Sequence, residues 1–303
     1  MADRGAPALE FRRRRVLVNS SDDEAPILIV SADDFGLTAR VSEGILEAHG
    51  QGVVTSTSVI AVAPAFRSSA KQLRAVSSLG VGAHFTAVGE DPPLLSAREV
   101  PSLVDKHGNF WPTWRAFLPR AAAHRIDPDD LRREFAAQLE AITAEGLVVD
   151  HFDTHQHIHL WPSVSRVLLD LGDSNGVHAM RVTRSNARGP VGVVVRRLAR
   201  QLEAELRKRH WAWTGAATGL DEAGSLGTAE MVQAIELLAS SGAASAEIGS
   251  HPGLPDDPER DRYRWNYNWD LEFTALCSKA VRSSIEASGF RLGTFADLPR
   301  WGM

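Results

Sequence analysis

Two neighbouring carboxylates follow the first strongly apolar segment of the chain. Asp33 and Asp34 come directly after the run Ile27-Leu28-Ile29-Val30, with only two residues between. Aspartates after a strand often begin a turn or cap a helix, so the pair alone is a weak signal. Two adjacent carboxylates also repel each other, and a bound cation relieves that repulsion. The pair therefore fits either a turn or part of a metal site.

A cluster of histidines is the strongest chemical signal. Four of the 11 histidines lie within nine residues, in the segment Asp150-His151-Phe152-Asp153-Thr154-His155-Gln156-His157-Ile158-His159. If this segment is extended, the four histidines and Asp153 project to one side of a sheet, because side chains alternate along a strand. Burying so many polar side chains without a function is costly. Imidazole is the commonest metal ligand, and a catalytic metal typically takes about three protein ligands. The cluster favours a metal site over a solvated histidine-rich loop.

Two more histidines and an arginine stand near predicted strand ends. His84 shares one face of residues 79–86 with Gly80 and Gly82, which are expected to leave room in a barrel interior. A hydrogen-bonded core histidine is the alternative. His251 precedes Pro252 and fits either a turn or a catalytic role. Arg181 is either a substrate-facing charge or an ion-paired structural arginine.

The segments that carry these residues alternate between strands and helices. Apolar runs predict strands at 27–30, 53–62, 79–86, 147–154, 178–182, 246–250 and 290–295. Helical patterns predict helices at 39–50, 66–76, 129–145, 163–171, 191–208, 228–241 and 269–288. Such alternation is typical of a parallel sheet with crossover helices, and seven or so units favour a closed or nearly closed barrel. An open doubly wound parallel sheet is the alternative. Long connections at 88–124 and 211–227 are expected to wall the site, which in these folds lies beyond the carboxyl ends of the strands.

Length, charge and composition bound the class of protein. A chain of 303 residues is long enough to bury a large core without disulfides or structural metals. The absence of repeats favours a single domain over residues 26–303. The net charge of −5 argues against nucleic acid as a partner. Cys277, the single cysteine, excludes an intrachain disulfide and a thiolate metal site. Residues 1–25 lack the long apolar stretch of a secretory signal, and no segment is apolar enough for a membrane span. These observations predict a disordered N-terminal tail over residues 1–25 and a cytoplasmic protein.

Taken in order, the motifs resemble a known family. Asp33-Asp34-Phe35-Gly36, Gly82-Ala83-His84, Asp153-Thr154-His155-Gln156-His157 and His251-Pro252 are similar to motifs of the YdjC/ChbG family of carbohydrate deacetylases. The resemblance covers nearly the whole chain from Ile27 to Leu298. Within the family, the hopanoid-biosynthesis-associated branch is the most similar, on three segments: Leu103-Val104-Asp105, Gly108-Asn109-Phe110 and Met180-Arg181-Val182.

The resemblance implies a fold, a metal and roles for particular residues. It implies a deformed (β/α) barrel of the glycoside hydrolase/deacetylase type, one divalent metal ion on Asp34, His84 and His155, and Asp33 as general base. By ligand softness, one carboxylate and two imidazoles favour Zn, Co, Ni or Fe over Mg, whereas family members are often described as magnesium enzymes, so Mg²⁺ and Zn²⁺ both stay open. By analogy with deacetylases that use an acid and a base on two sides, His251, or failing that His157, protonates the leaving nitrogen. The implied reaction releases acetate from an N-acetylated amino sugar, glycan or glycolipid.

Substrate contacts and competing functions complete the predictions. His157, Arg181, Trp111 and Trp114 are the candidate substrate contacts, since aromatic rings stack on sugars. One or two tryptophans in all are expected to touch the sugar, and the further candidates are Trp211, Trp213, Trp265 and Trp269. A non-catalytic carbohydrate-binding protein of the same fold is one alternative. A metal-dependent sugar-phosphate isomerase or phosphoesterase is another, which the lack of a GxxxxGK[ST] loop disfavours. A homodimer is compatible with a soluble barrel.

Overall fold

One parallel sheet organises the chain. The computed structural model describes residues 25–302, so the predicted tail, apart from Ala25, lies outside the described residues. The strands are β1 (Ile27–Phe35), β2 (Ser56–Val59), β3 (Gly80–Phe85), β4 (His151–Thr154), β5 (Ala216–Thr218), β6 (Ser245–Ser250) and β7 (Arg291–Leu292). Their order across the sheet is β4-β3-β2-β1-β6-β5, and β7 pairs with the start of β1.

The strands wind as a barrel. From β1 to β4 each strand is added on the same side of its predecessor, without the reversal that marks an open doubly wound sheet. Beyond β4, isolated parallel bridges join Phe152 to Met180 and Ala179 to Ala212. Ala212 lies shortly before β5, which pairs with β6 and so leads back to β1. The fold is therefore the predicted deformed (β/α) barrel. The strand predicted at 178–182 is reduced to these bridges.

Helices cover the outside of the sheet. They are α1 (Ala39–Gly50), α2 (Phe66–Arg74), α3 (Trp114–Ala122), α4 (Pro128–Ala144), α5 (Pro162–Asn175), α6 (Pro190–Lys208), α7 (Thr228–Ser240), α8 (Trp269–Leu276) and α9 (Lys279–Ala287). The prediction of one helix over 269–288 is wrong. Ser278 separates α8 from α9, because its side chain accepts a hydrogen bond from the backbone N–H of Ala280 and caps the second helix.

The alternation along β3 behaves as the sequence predicts on its apolar side. Phe85 packs against Phe135 of α4 and Phe152 of β4, with ring centroids 5.0 and 4.9 Å apart. The neighbouring α4 also holds the long connection at 88–124, which contains α3 and is not a plain loop. Buried Glu134 of α4 accepts hydrogen bonds from the backbone N–H groups of Leu94 and Leu95.

No helix of residues 25–302 has the length and apolar character that crossing a bilayer requires.

Candidate active site

A bulge in β1 brings Asp33 and Asp34 to the same site. Adjacent residues of a regular strand point to opposite faces. Between Ala32 and Phe35, however, the register of β1 against β2 shifts, and Asp34 has a left-handed backbone with φ of 69°. Bulges re-aim side chains in this way, and aspartate tolerates the left-handed region better than most residues. Both carboxylates are buried at the carboxyl edge of the sheet.

Asp34, His84 and His155 come together as the resemblance implies. Their ligand atoms lie within 4.8 Å of one another. Asp34 Oδ1 is 3.5 Å from His84 Nε2 and 3.3 Å from His155 Nδ1, and it is buried without a hydrogen bond. An orphaned carboxylate oxygen that faces two imidazoles suits a divalent cation. Burial raises the pKa of Asp34, but the neighbouring His155 and His84 outweigh burial and hold that pKa far below its usual range. The three residues therefore fit a metal ion.

Asp153 orients the His84 ring through the nitrogen that faces away from Asp34. Its Oδ1 lies 2.8 Å from His84 Nδ1, which leaves Nε2 facing Asp34. A carboxylate on the far nitrogen of a histidine is the usual support of a metal-binding imidazole. Burial lowers the pKa of His84, yet Asp153 outweighs it and raises that pKa to about 9 in the metal-free protein. A metal ion bound at Nε2 would therefore displace a proton.

Arg181 occupies the space beside a second possible group of metal ligands. Asp33, His84 and Asp153 also lie close enough together to hold an ion. The Arg181 guanidinium, however, contacts Asp33 at 2.5 and 2.8 Å and Asp153 at 2.7 Å, and its Nε donates to Glu247 at 2.7 Å. A metal ion beside this buried cation is disfavoured by repulsion. Of the two alternatives left open by the sequence, the ion-paired arginine is the one observed, and substrate contact by Arg181 stays a prediction.

His251 lies across from Asp33. Its Nε2 is 4.0 Å from Asp33 Oδ2, and its Nδ1 is 3.8 Å from Glu272 Oε2. Buried Glu272 also accepts the backbone N–H of His251, which ties α8 to the end of β6. Tyr267 packs against the imidazole with ring centroids 4.6 Å apart. A carboxylate and a supported imidazole thus face the same small space.

The histidine cluster stays extended only as far as Thr154, where the predicted strand also ends. The chain turns after β4 because Gln156 and His157 both adopt left-handed backbone conformations. His157 Nδ1 then lies 3.1 Å from Thr183 Oγ1. Burial, with the charges of His159 and Arg181, holds the pKa of His157 well below its usual value. A neutral imidazole is a poor proton donor, so His157 is not well suited to act as the acid.

His151 packs in the core and is not part of the ligand group. It lies in the barrel interior, stacked on Phe295 with ring centroids 3.9 Å apart. The space beside Gly82 is not free for a ligand, because a Cβ at Gly82 would lie 2.3 Å from His151 Nε2. The glycines of β3 therefore accommodate core side chains next to the site.

His159 makes stability sensitive to acid. It is fully buried against Thr154, and burial lowers its pKa to about 4, whereas an unfolded histidine titrates near 6.5. The unfolded chain therefore takes up this proton first as the pH falls. This difference removes about 2 kcal/mol of unfolding free energy between pH 7 and pH 5. The His159→Asn variant keeps a hydrogen-bond acceptor for Thr154. Between pH 7 and pH 5 its unfolding free energy, measured by urea titration, should fall by about 2 kcal/mol less than that of the wild type.

The matched control is His107→Asn, at an exposed histidine. It should keep the wild-type dependence of stability on pH. Equal dependence in the His159→Asn variant would show that the buried imidazole does not contribute.

The tryptophans divide between the core and the site. Trp111 and Trp114 pair with Arg120 and Arg115, and their contact with substrate stays a prediction. Trp211 is fully buried and cannot stack on a sugar. The ring that does approach the candidate ligands is Trp265, 4.9 Å from the His155 ring.

Tyr267, Glu247 and Glu272 were not predicted from the sequence, whereas Trp265 was among the candidate aromatic contacts. Tyr267 belongs to the segment Tyr263-Arg264-Trp265-Asn266-Tyr267-Asn268-Trp269, whose alternating aromatics were an available signal. Glu247 had a signal too, as a charged residue inside an apolar strand. Glu272 had none, because it lies on a helix far along the chain and only the fold brings it to His251.

This barrel, with an Asp–His ligand group beside a carboxylate and a histidine, has the architecture of a metal-dependent hydrolase. Residues 27–287 match the model of the YdjC-like protein family, and the chain belongs to that family.

Relatives span nearly the whole chain. A carbohydrate deacetylase of Enterococcus faecalis is 26% identical over 278 residues, which cover 89% of this chain and 97% of the relative. A chitooligosaccharide deacetylase of Salmonella dublin is 28% identical over 274 residues, which cover 90% of this chain and 99% of the relative. A crystal structure from E. faecalis V583, described as a cellobiose-phosphate cleavage protein, superposes with a TM-score of 0.74 at 25% identity. It covers 89% of this chain and 98% of the other.

Proposed function

We propose that the chain is a metal-dependent deacetylase that hydrolyses the N-acetyl group of an amino sugar, glycan or glycolipid. One observation carries the proposal: the Asp34, His84 and His155 group lies beside Asp33 and His251, whose side chains are 4.0 Å apart. The deacetylase names of both curated relatives, matched over nearly their full lengths, support the same reaction.

The residues divide the reaction between them. A divalent ion on Asp34, His84 and His155 would supply Lewis acidity, which polarises a carbonyl and lowers the pKa of water. Asp33, held in place by Arg181 and Ser58, accepts a proton from water while the water oxygen bonds to the acetyl carbon. His251 donates a proton to the sugar nitrogen as the carbon–nitrogen bond breaks. The products are acetate and a free amine.

The charge of the site favours an amide over a phosphoester. The site contains four buried carboxylates, those of Asp33, Asp34, Asp153 and Glu247, and the buried guanidinium of Arg181. Three of them already pair with it. A phosphate dianion therefore finds no free cation among these residues apart from the metal ion. A neutral acetamide and a cationic amine product suit the surplus of negative charge.

The sugar-binding wall and the finer assignments follow from the same site. We assign Trp265 and Tyr267 to the wall, with Trp111, Trp114, His157 and Arg181 as further candidate contacts. The metal is Mg²⁺ or Zn²⁺. The hopanoid-associated branch is supported by the motifs at 103–105, 108–110 and 180–182. We further propose that residues 26–303 form one domain, in a cytoplasmic protein that is compatible with a homodimer.

Acetate release tests the proposed function. The full chain, reconstituted with Mg²⁺ or Zn²⁺, is expected to release acetate from N-acetylglucosamine oligomers or an N-acetylglucosaminyl lipid. EDTA should abolish release, and the same metal added in excess should restore it, because the orphaned Asp34 oxygen and the two imidazoles need the cation to act. Release unaffected by chelation would refute the metal. Phosphate release from a sugar phosphate without any acetate release would overturn the deacetylase in favour of a phosphoesterase.

A further inference from the structure

An apolar tip stands on the same edge of the barrel as the site. Val191, Val193 and Val194 in the first turn of α6 are 55%, 55% and 51% exposed. The segment that leads into them passes Arg181 and Thr183, which line a cavity with Asp33 and His251. We call the three valines the valine tip. Three branched apolar side chains at this exposure in one helical turn are unusual for a surface that faces only water.

The segment that precedes the valine tip is held by side-chain hydrogen bonds. Asp221 accepts hydrogen bonds from the backbone N–H groups of Asn186 and Ala187, at 2.6 and 3.1 Å. Arg196 donates to the carbonyl oxygens of Ser185 and Ala187, at 3.0 and 2.8 Å. The first turn of α6 packs against this segment, since a Cβ at Gly192 would lie 2.2 Å from the Ala187 carbonyl oxygen. The valines are thus presented on a rigid support and are not exposed by a loose loop.

The surroundings of the valine tip are basic. Arg188 and the helix α6 together carry six basic residues and two acidic ones, in a chain whose net charge is −5. Within residues 25–302, no ion pair engages Arg188, Arg197 or Arg200. Exposed apolar side chains flanked by unpaired arginines on one helix are typical of segments that lie in the surface of an anionic membrane.

We propose that the valine tip is a docking surface for an anionic lipid bilayer. The valines enter the acyl boundary, and Arg188 and Arg197 contact lipid phosphates. A second copy of this chain fits less well, because a twofold contact through the tip brings the arginines of both copies together. Docking would hold the mouth of the site close to the bilayer surface. The proposal does not depend on the deacetylase reaction.

Vesicle co-sedimentation of the full chain tests this docking. We expect binding to vesicles of phosphatidylcholine with phosphatidylglycerol to exceed binding to phosphatidylcholine alone by about tenfold. The variant V191D/V194D should weaken binding about tenfold or more, and R188Q/R197Q should remove the preference for phosphatidylglycerol. The matched control is Val148→Asp, at a valine 85% exposed that precedes β4 at the opposite end of the barrel. It should bind as the wild type does.

Two further measurements separate the outcomes. Acetate release from a water-soluble substrate should be equal in the wild type, V191D/V194D and Val148→Asp, so that loss of docking is distinguished from loss of chemistry or folding. Absence of vesicle binding by the wild type, or equal weakening by Val148→Asp, would overturn the proposal. Light scattering that shows a dimer dissociated by V191D/V194D would assign the tip to self-association instead.

Discussion

Alanine at position 34 is expected to leave the chain without its metal and to lower turnover at least about 10³-fold. Asp34 Oδ1 is the atom that faces both His84 Nε2 and His155 Nδ1, so its removal takes away the anionic ligand of the group. Loss of the ion removes several kcal/mol of charge stabilisation in the transition state, and each ~1.4 kcal/mol is a factor of about ten in rate. Metal content by atomic emission and acetate release by coupled assay measure the two effects.

Two further variants separate the loss of the Asp34 carboxylate from strain in the backbone at residue 34. Asp34 has φ of 69°, which alanine adopts less readily than asparagine. Asp34→Asn keeps the conformation while removing the charge, and it should lose the metal as well. Asp256→Ala is the matched control, because Asp256 is exposed, lies outside the site and also has a positive φ, of 58°. It should keep metal and activity. Full activity in either Asp34 variant would refute the ligand assignment.

Asparagine at position 33 is expected to separate proton transfer from metal binding. The Asp33 carboxylate is held by Arg181 and Ser58 and faces His251, but it is not part of the group formed by Asp34, His84 and His155. A general base typically contributes about 10²–10⁴ in rate. We therefore expect kcat to fall by about that factor while the metal content stays at the wild-type value and KM changes little.

A charge partner of Arg181 is the control for this variant. Glu247→Gln removes one of the three carboxylates around Arg181 but leaves Asp33 in place. It should lower kcat by less than about tenfold, because Glu247 contacts Arg181 and not Asp34, His84 or His155, the proposed metal ligands. Loss of metal in Asp33→Asn would move the ion to the alternative group of Asp33, His84 and Asp153. Equal kcat in Asp33→Asn and the wild type would remove Asp33 as the base.

Local pattern was sufficient for most of the elements. The predicted helix at 39–50 coincides with α1, and the predicted strands at 79–86 and 246–250 overlap β3 and β6 closely. These segments have clear periodicity and clear ends, with Thr38 as the N-cap of α1. The prediction of one helix over 269–288 failed, because the Ser278 cap starts a second helix. The histidine segment keeps the alternation of a strand beyond Thr154, yet the chain turns there because Gln156 and His157 take left-handed backbone conformations.

The sequence by itself determined which residues are candidates for the chemistry. Asp33, Asp34, His84, His155 and His251 follow predicted strands, whose carboxyl ends meet at one edge of a parallel sheet, and the resemblance to the family is what gave each of them a predicted role. The sequence left open whether Arg181 faces substrate or carboxylates, since that depends on Asp33, Asp153 and Glu247, which lie on three different strands.

Only the tertiary structure decided which groups act on which. The bulge in β1 turns two adjacent aspartates to the same side, the barrel brings Glu272 behind His251, and Trp265 closes over His155. The contacts of Glu272 with His251 and of Trp265 with His155 join residues that are separated along the chain, and no local spacing encodes them. Distances between strands follow from packing of the whole core, so the roles of neighbouring carboxylates are settled by the fold and not by their order in the sequence.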